Sequence, residues 1–177
     1  MIWFTSDFHF GHEKEFLWGP RGYSNWAEAS ESVVNNYNSV VSYDDTVYIL
    51  GDCMLSHPEF GISCLKRLNG NKHLIVGNHD TDEKIKRFYE EEVFKSIEYG
   101  GRLRYGKYSF WMSHFPMEMG VHKSKHPVWN LSGHTHSNVK IRLDGCIYNV
   151  CLNAHKNFPV NIETIVEDIE REVKKLG

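Results

Sequence analysis

No apolar run in the 177 residues approaches the ~18 needed for a bilayer-spanning helix. Basic residues are not in excess: 20 Lys and Arg stand against 23 Asp and Glu, a net charge of −3. That balance offers no broad electrostatic grip on nucleic acid. The four cysteines, Cys53, Cys64, Cys146 and Cys151, make no C-x-x-C pair, which argues against a thiolate zinc site. They read instead as reduced, mostly buried thiols. The sequence also lacks an internal repeat, a low-complexity segment and the G-x-S-x-G elbow of a serine hydrolase. Gly101-Arg102-Leu103-Arg104-Tyr105-Gly106-Lys107-Tyr108 nearly spells a phosphate-binding P-loop. Tyr108 stands where a Ser or Thr would hold magnesium, and the context is a hairpin rather than a strand entering a helix. Glu59, not Arg, lies six residues after Cys53, so a cysteine phosphatase loop is excluded as well.

What remains is an ordinary globular composition, 41% hydrophobic and 24% charged. The length predicts one domain over residues 1–177, with a core that needs no disulfide or metal staple. A strand starting at Ile2 leaves no room for a leader, so a cytoplasmic location is expected. Strands are read over Ile2–Ser6, Thr46–Leu50 and Lys72–Val76. Helices are read from Asn25 to about Ser39, over Ile62–Leu68, and from Thr81 or Asp82 to about Glu92. Asn25 with Glu28, and later Asn161, are N-cap signals. This β-α-β-α-β-α order argues for a layered α/β fold. The second half reads as antiparallel: a hairpin at Gly106-Lys107, a short strand at Leu131–Gly133, and a type I′ hairpin at Asp144-Gly145. A final helix carries Ile162, Ile165, Val166, Ile169, Val173 and Leu176 as its apolar stripe.

Five apolar runs end abruptly in Asp, His or Asn. They are followed by Asp7-Phe8-His9, Gly51-Asp52, Gly77-Asn78-His79-Asp80, Ser113-His114 and Gly133-His134-Thr135-His136. Residues two apart on a strand share a side, so Asp7 with His9, and His134 with His136, can each reach one ion. A single such pair is more often a turn than a site. Three adjacent polar residues after a buried strand, as at Asn78-His79-Asp80, are harder to explain by packing.

Taken together and in this order, the five pieces resemble the calcineurin-like metallophosphoesterases, in particular the small uncapped bacterial and phage type. The resemblance runs from residue 2 to about residue 170 and implies an α/β (α+β) fold, a four-layer αββα sandwich of two mixed sheets flanked by helices. It implies two metal ions, one held by Asp7, His9 and His136, the other by Asn78, His114 and His134, with Asp52 bridging. His79 would stand beside the phosphate as a proton donor, and Asp80 would orient it.

Imidazoles mixed with carboxylates suit transition metals: manganese first, with iron, zinc or nickel as alternatives. Two divalent ions against two carboxylates leave about +2 of charge to attract a phosphate despite the acidic balance. Ions about 4 Å apart can share a water and lower its pKa, so that hydroxide attacks phosphorus in line. The expected substrate is a small phosphodiester or nucleotide. A nuclease acting on single strands is the alternative, with Trp18, Trp26 and Trp129 as stacking candidates. A metal-binding scaffold without turnover is the rival from outside the enzymes. His12, Arg21, Lys123 and Lys125 are candidate substrate contacts.

Overall fold

The computed structural model describes residues 1–120, 123–124 and 126–175. Lys125 and Leu176, singled out above, therefore lie outside the described residues. Among the described residues ten strands form two five-stranded mixed sheets flanked by helices. In the first sheet β1 (Ile2–Thr5), β2 (Thr46–Ile49), β3 (Asn71–Ile75) and β4 (Ser96–Glu98) run parallel, and β10 (Val160–Asn161) joins β1 antiparallel. The second sheet has the order β5 (Gly101–Tyr105), β6 (Tyr108–Met112), β7 (Val128–Ser132), β9 (Ile147–Asn149), β8 (Ile141–Arg142).

The alternation along the strands divides the core. Val47, Ile49 and Leu74 face helices α2 (Trp26–Val40), α3 (Pro58–Arg67) and α4 (Asp82–Glu90). Phe4 and Ile75 point the other way, into a second core with Phe110, Leu131 and Tyr148 of the other sheet. The last helix, α5 (Ile162–Lys174), inserts Ile162, Ile165 and Ile169 into that second core. Both capping asparagines act as read: Asn25 accepts from the Glu28 N–H at 2.9 Å and Asn161 from the Thr164 N–H at 2.8 Å. Each satisfies a donor that the helix itself leaves unpaired.

Two local readings change. Helix α3 starts at Pro58, four residues before the apolar spacing suggested; proline suits a first helical position, where no N–H is needed. The loop joining β8 to β9 has four residues, 143–146, with Cys146 rather than Asp144 or Gly145 in the left-handed region.

The larger change concerns the second sheet. Its centre is parallel: β6 pairs with β7, and β7 with β9, in the same direction, and only the edges β5 and β8 are antiparallel. Adjacent antiparallel strands end on opposite sides of a sheet, whereas parallel strands end on one side. The segments after β6 and β7, carrying His114 and His134, therefore leave from the same edge. An isolated parallel bridge, Ser6 with Cys151, joins that edge to the end of β1.

Candidate metal centre

The strand-end loops turn so sharply that five candidate ligands occupy the left-handed backbone region: Asp7 (φ 61°), His9 (φ 49°), Asp52 (φ 58°), His134 (φ 69°) and His136 (φ 49°). Among the described residues only four other non-glycine residues do so. Such conformations are unfavourable for L residues and persist where the surroundings impose them. Two glycines let the loops approach. A Cβ at Gly77 would overlap the Asp52 carboxylate, and one at Gly133 would overlap Ser6 Oγ and the Asp7 carboxylate.

Asp7 and Asp52 each direct one oxygen at imidazoles, and the Asp7 Oδ1 that does so also accepts from the His134 N–H at 3.2 Å. Asp7 Oδ2 accepts from Ser6 Oγ at 2.5 Å and from the His134 N–H at 3.0 Å. Its Oδ1 lies 3.6 Å from His136 Nε2 and 3.9 Å from His9 Nε2. Asp52 Oδ1 accepts from the His79 N–H at 2.9 Å. Asp52 Oδ2 is 3.5 Å from His9 Nε2 and 3.4 Å from His114 Nε2.

The histidines complete two clusters that share Asp52. His9, Asp7 and Asp52 form one, and Asp52, His114 and His134 the other; within each cluster the ligand atoms lie within 4.8 Å of one another. His136 Nε2 adjoins the first at 3.2 Å from His9 Nε2. Asn78 Oδ1 adjoins the second at 2.9 Å from His114 Nε2. His114 Nδ1 donates to the Leu50 carbonyl at 2.7 Å, which turns Nε2 inward, as a ligand-orienting contact does. His114 Nε2, Asn78 Oδ1 and Asp52 Oδ2 then converge on one space. A proton on Nε2 serves the two oxygens there, and a divalent cation can take that proton's place, so the residues present fit divalent metal.

The electrostatics agree. Burial pushes the His9 imidazole down to about 2, against the pull of the Asp52 carboxylate, which keeps the ring neutral and its lone pair available. For Asp52 burial acts upward, but the hydrogen bond and charge of His114 and the His79 N–H outweigh it and hold the carboxyl at about 2.

All seven candidate ligands are thus brought together, and His79 joins them with its ring edge-on to His9, centroids 5.4 Å apart. Asp80 behaves differently from the expectation. Its carboxylate is buried and accepts three backbone N–H groups, from Asp52 (2.8 Å), Gly77 (2.9 Å) and Cys53 (3.0 Å). It ties two strand-end loops together instead of engaging the His79 ring.

Arg21 also departs from its reading as a phosphate grip. Its guanidinium donates to the Asp7 carbonyl at 2.7 Å, the Phe8 carbonyl at 3.4 Å and Asn153 Oδ1 at 3.0 Å, so its donors are committed to the chain. His12 lies at the site, its ring centroid 5.9 Å from that of His9, with Nδ1 accepting the Lys14 N–H. Lys123 is exposed in a turn. Trp129 is buried and cannot serve as a stacking surface.

Two supporting residues carried no sequence signal, because partners of theirs are distant in the chain. Asn153 accepts from Arg21, 132 positions away. Lys84 Nζ donates to the Met54 and His79 carbonyls at 2.8 and 2.7 Å. Cys151 lies near Asp7 and His136, where burial and the Asp7 charge raise its thiol well above the ordinary range and keep it protonated. All four cysteines are free and buried, as read.

Fold and cluster define the class first: an α/β protein that gathers imidazoles and carboxylates at the adjoining edges of two sheets to bind metal. The chain belongs to the calcineurin-like phosphoesterase family, whose sequence model matches residues 1–164. It is therefore a divalent-metal-dependent hydrolase of phosphoester bonds. An uncharacterized protein of Methanocaldococcus jannaschii is 32% identical over 180 residues, covering 96% of this chain and 92% of that protein. The gene 66 protein of Mycobacterium phage L5 is 33% identical over 162 residues, covering 76% of this chain and 77% of its own. A solved Aquifex aeolicus protein of unknown function aligns with all of this chain and 99% of its own at a TM-score of 0.66 and 22% identity, a likeness of fold alone.

Proposed function

We propose that the protein is a dinuclear metal-dependent phosphodiesterase acting on a small phosphodiester or nucleotide-like substrate. The observation that carries this reading is the placement of Asp52. Its Oδ1 is engaged by the His79 N–H while Oδ2 sits between His9 and His114, one from each cluster. In this reading Asp7, His9 and His136 would hold one ion, Asn78, His114 and His134 the other, and Asp52 would serve both. Divalent metal bound there, manganese first and iron, zinc or nickel as alternatives, would supply positive charge for the phosphate oxygens and a lowered pKa for the attacking water.

The chain's own groups do the rest. Asp7 and Asp52 keep one oxygen each in place through protein hydrogen bonds, so little ordering is left for metal binding. His79, half-buried over His9, presents a ring nitrogen to the departing oxygen and gives it a proton, a role typically worth ~10²–10⁴-fold. Asp80 and Lys84 hold the loop on which His79 stands. Among the described residues no helix is long and apolar enough to cross a membrane. The buried free thiols suit the reducing cytoplasm.

Hydrolysis of bis(p-nitrophenyl) phosphate, followed while metal is added to chelator-stripped protein, tests the reading. Activity rising to a plateau at two equivalents is expected. Saturation at one equivalent removes the dinuclear reading, and turnover without any metal removes the metal-dependent one.

A further inference from the structure

Of the ten phenylalanines, two are exposed, and both rest against site histidines. Phe115 is 51% exposed. Its ring centroid lies 4.6 Å from that of His134 and 5.2 Å from that of His114. Phe16 is 72% exposed, and its ring stands edge-on to His12 at 5.3 Å. His12 in turn is edge-on to His9. Phe115 thus borders the cluster of Asp52, His114 and His134 directly, and Phe16 stands one ring further out on the side of His9, with His12 between them.

Neither ring is a loose surface group. Ser113 Oγ donates to the Phe115 carbonyl at 2.8 Å, fixing the turn that presents it. Phe16 lies on α1 (Glu15–Trp18), anchored by buried Leu17 and by the Trp18 indole donating to the Glu13 carbonyl.

We propose that Phe115 and Phe16 are stacking platforms for planar groups on the two sides of the scissile phosphate, so that the preferred substrate is a phosphodiester carrying aromatic or nucleobase rings. The inference rests on the phosphodiesterase reading. Stacking suits such rings because every base has a π-face, and it asks for no base-specific hydrogen bond. With the phosphate at the metal centre, an ester substituent leaving it toward either side meets one of the two phenyl faces. A simple alkyl ester gains no such contact. Phe115 and Phe16 act on specificity, not on the bond-breaking step.

The test compares two esters that release the same nitrophenolate, bis(p-nitrophenyl) phosphate with two rings and methyl p-nitrophenyl phosphate with one, at saturating manganese. The native protein is expected to favour the two-ring ester in kcat/KM by about tenfold. The ratio should fall toward one in the double variant Phe16→Ala/Phe115→Ala and persist in Phe115→Trp, which keeps a planar face. Calorimetric Kd values for phenylphosphonate and methylphosphonate, which are not turned over, should show a preference for the ring of the same order, lost in the same double variant. A ratio unchanged by the double substitution overturns the proposal, and so does an equal fall for both esters, which marks a merely structural role. Turnover of neither ester by the native protein removes the hydrolase reading and this inference with it.

Discussion

The carboxylate of Asp80 accepts the backbone N–H of Asp52 at 2.8 Å, across 28 positions of sequence. One strand-end loop therefore sets the backbone of the next, and Asp52 enters the left-handed region held from behind. Replacing Asp80 with Ala leaves three buried N–H groups without their acceptor. A loss of roughly 3 kcal/mol is expected, since each unsatisfied buried donor costs about 1–3 kcal/mol and the losses overlap. Urea unfolding measures it. Unchanged stability with lowered turnover would instead restore Asp80 to the role of orienting His79.

His79 and Asp52 should separate chemistry from metal binding. His79→Ala is expected to retain both metals and lose ~10²–10⁴ in kcat. Asp52→Asn should lose metal as well as turnover, because the bridging position needs the charge. Metal analysis of the two purified variants distinguishes them, and full occupancy in Asp52→Asn would falsify the bridging assignment.

Ser6 supports Asp7 through a 2.5 Å hydrogen bond. Groups that orient a ligand typically contribute about 10–100-fold to metal affinity. Ser6→Ala should weaken metal binding by that order in calorimetric titration, with the fold retained. An affinity equal to the native value would remove Ser6 from the supporting shell.

Arg21 makes its bonds to the Asp7 and Phe8 carbonyls and to Asn153. Arg21→Met should lower stability by about 2 kcal/mol, in line with lost hydrogen bonds to a charged donor, and reduce kcat through a displaced Asp7. KM should change little. A large rise in KM with normal stability would mean that the guanidinium grips phosphate after all.

His155 gives a pH signature away from the metal centre. Its ring stacks on Tyr148 and its Nε2 bonds to the Asn149 carbonyl at 2.8 Å. Burial lowers it from 6.5 to about 4, only partly offset by that carbonyl. The folded pKa is depressed, so the unfolded chain binds the extra proton first. The contribution is whole above pH 6.5 and is lost as pH falls through 4. The native protein should lose on the order of 2–3 kcal/mol more than His155→Gln between pH 7 and pH 4, at about 1.4 kcal/mol per pKa unit. Urea midpoints at the two pH values give the difference.

The reading of the four cysteines as buried thiols came from composition and spacing, and it holds. Asn25 and Asn161 were legible because a cap acts on an N–H three residues away, within one turn of chain. Strands β1, β2 and β3 were legible because a short apolar run is a local signal. The backbone contacts of Asp80 and Arg21 were not legible, because most of their partners lie 13 to 132 residues away, and residue type alone does not say whether a charged group meets substrate or backbone.

The sequence by itself determined which residue types stand at the strand ends and hence the metal chemistry open to them. It also determined where α2 and α5 begin, since the Asn25 and Asn161 caps are short-range. Only the tertiary structure decided that β6, β7 and β9 run parallel, which brings His114 and His134 to the edge where Asp7 and Asp52 already lie. It decided, too, which oxygen of each carboxylate faces the imidazoles. Strand direction and hydrogen-bond partnership across the sheets depend on crossovers and contacts between distant segments, and no local pattern encodes them.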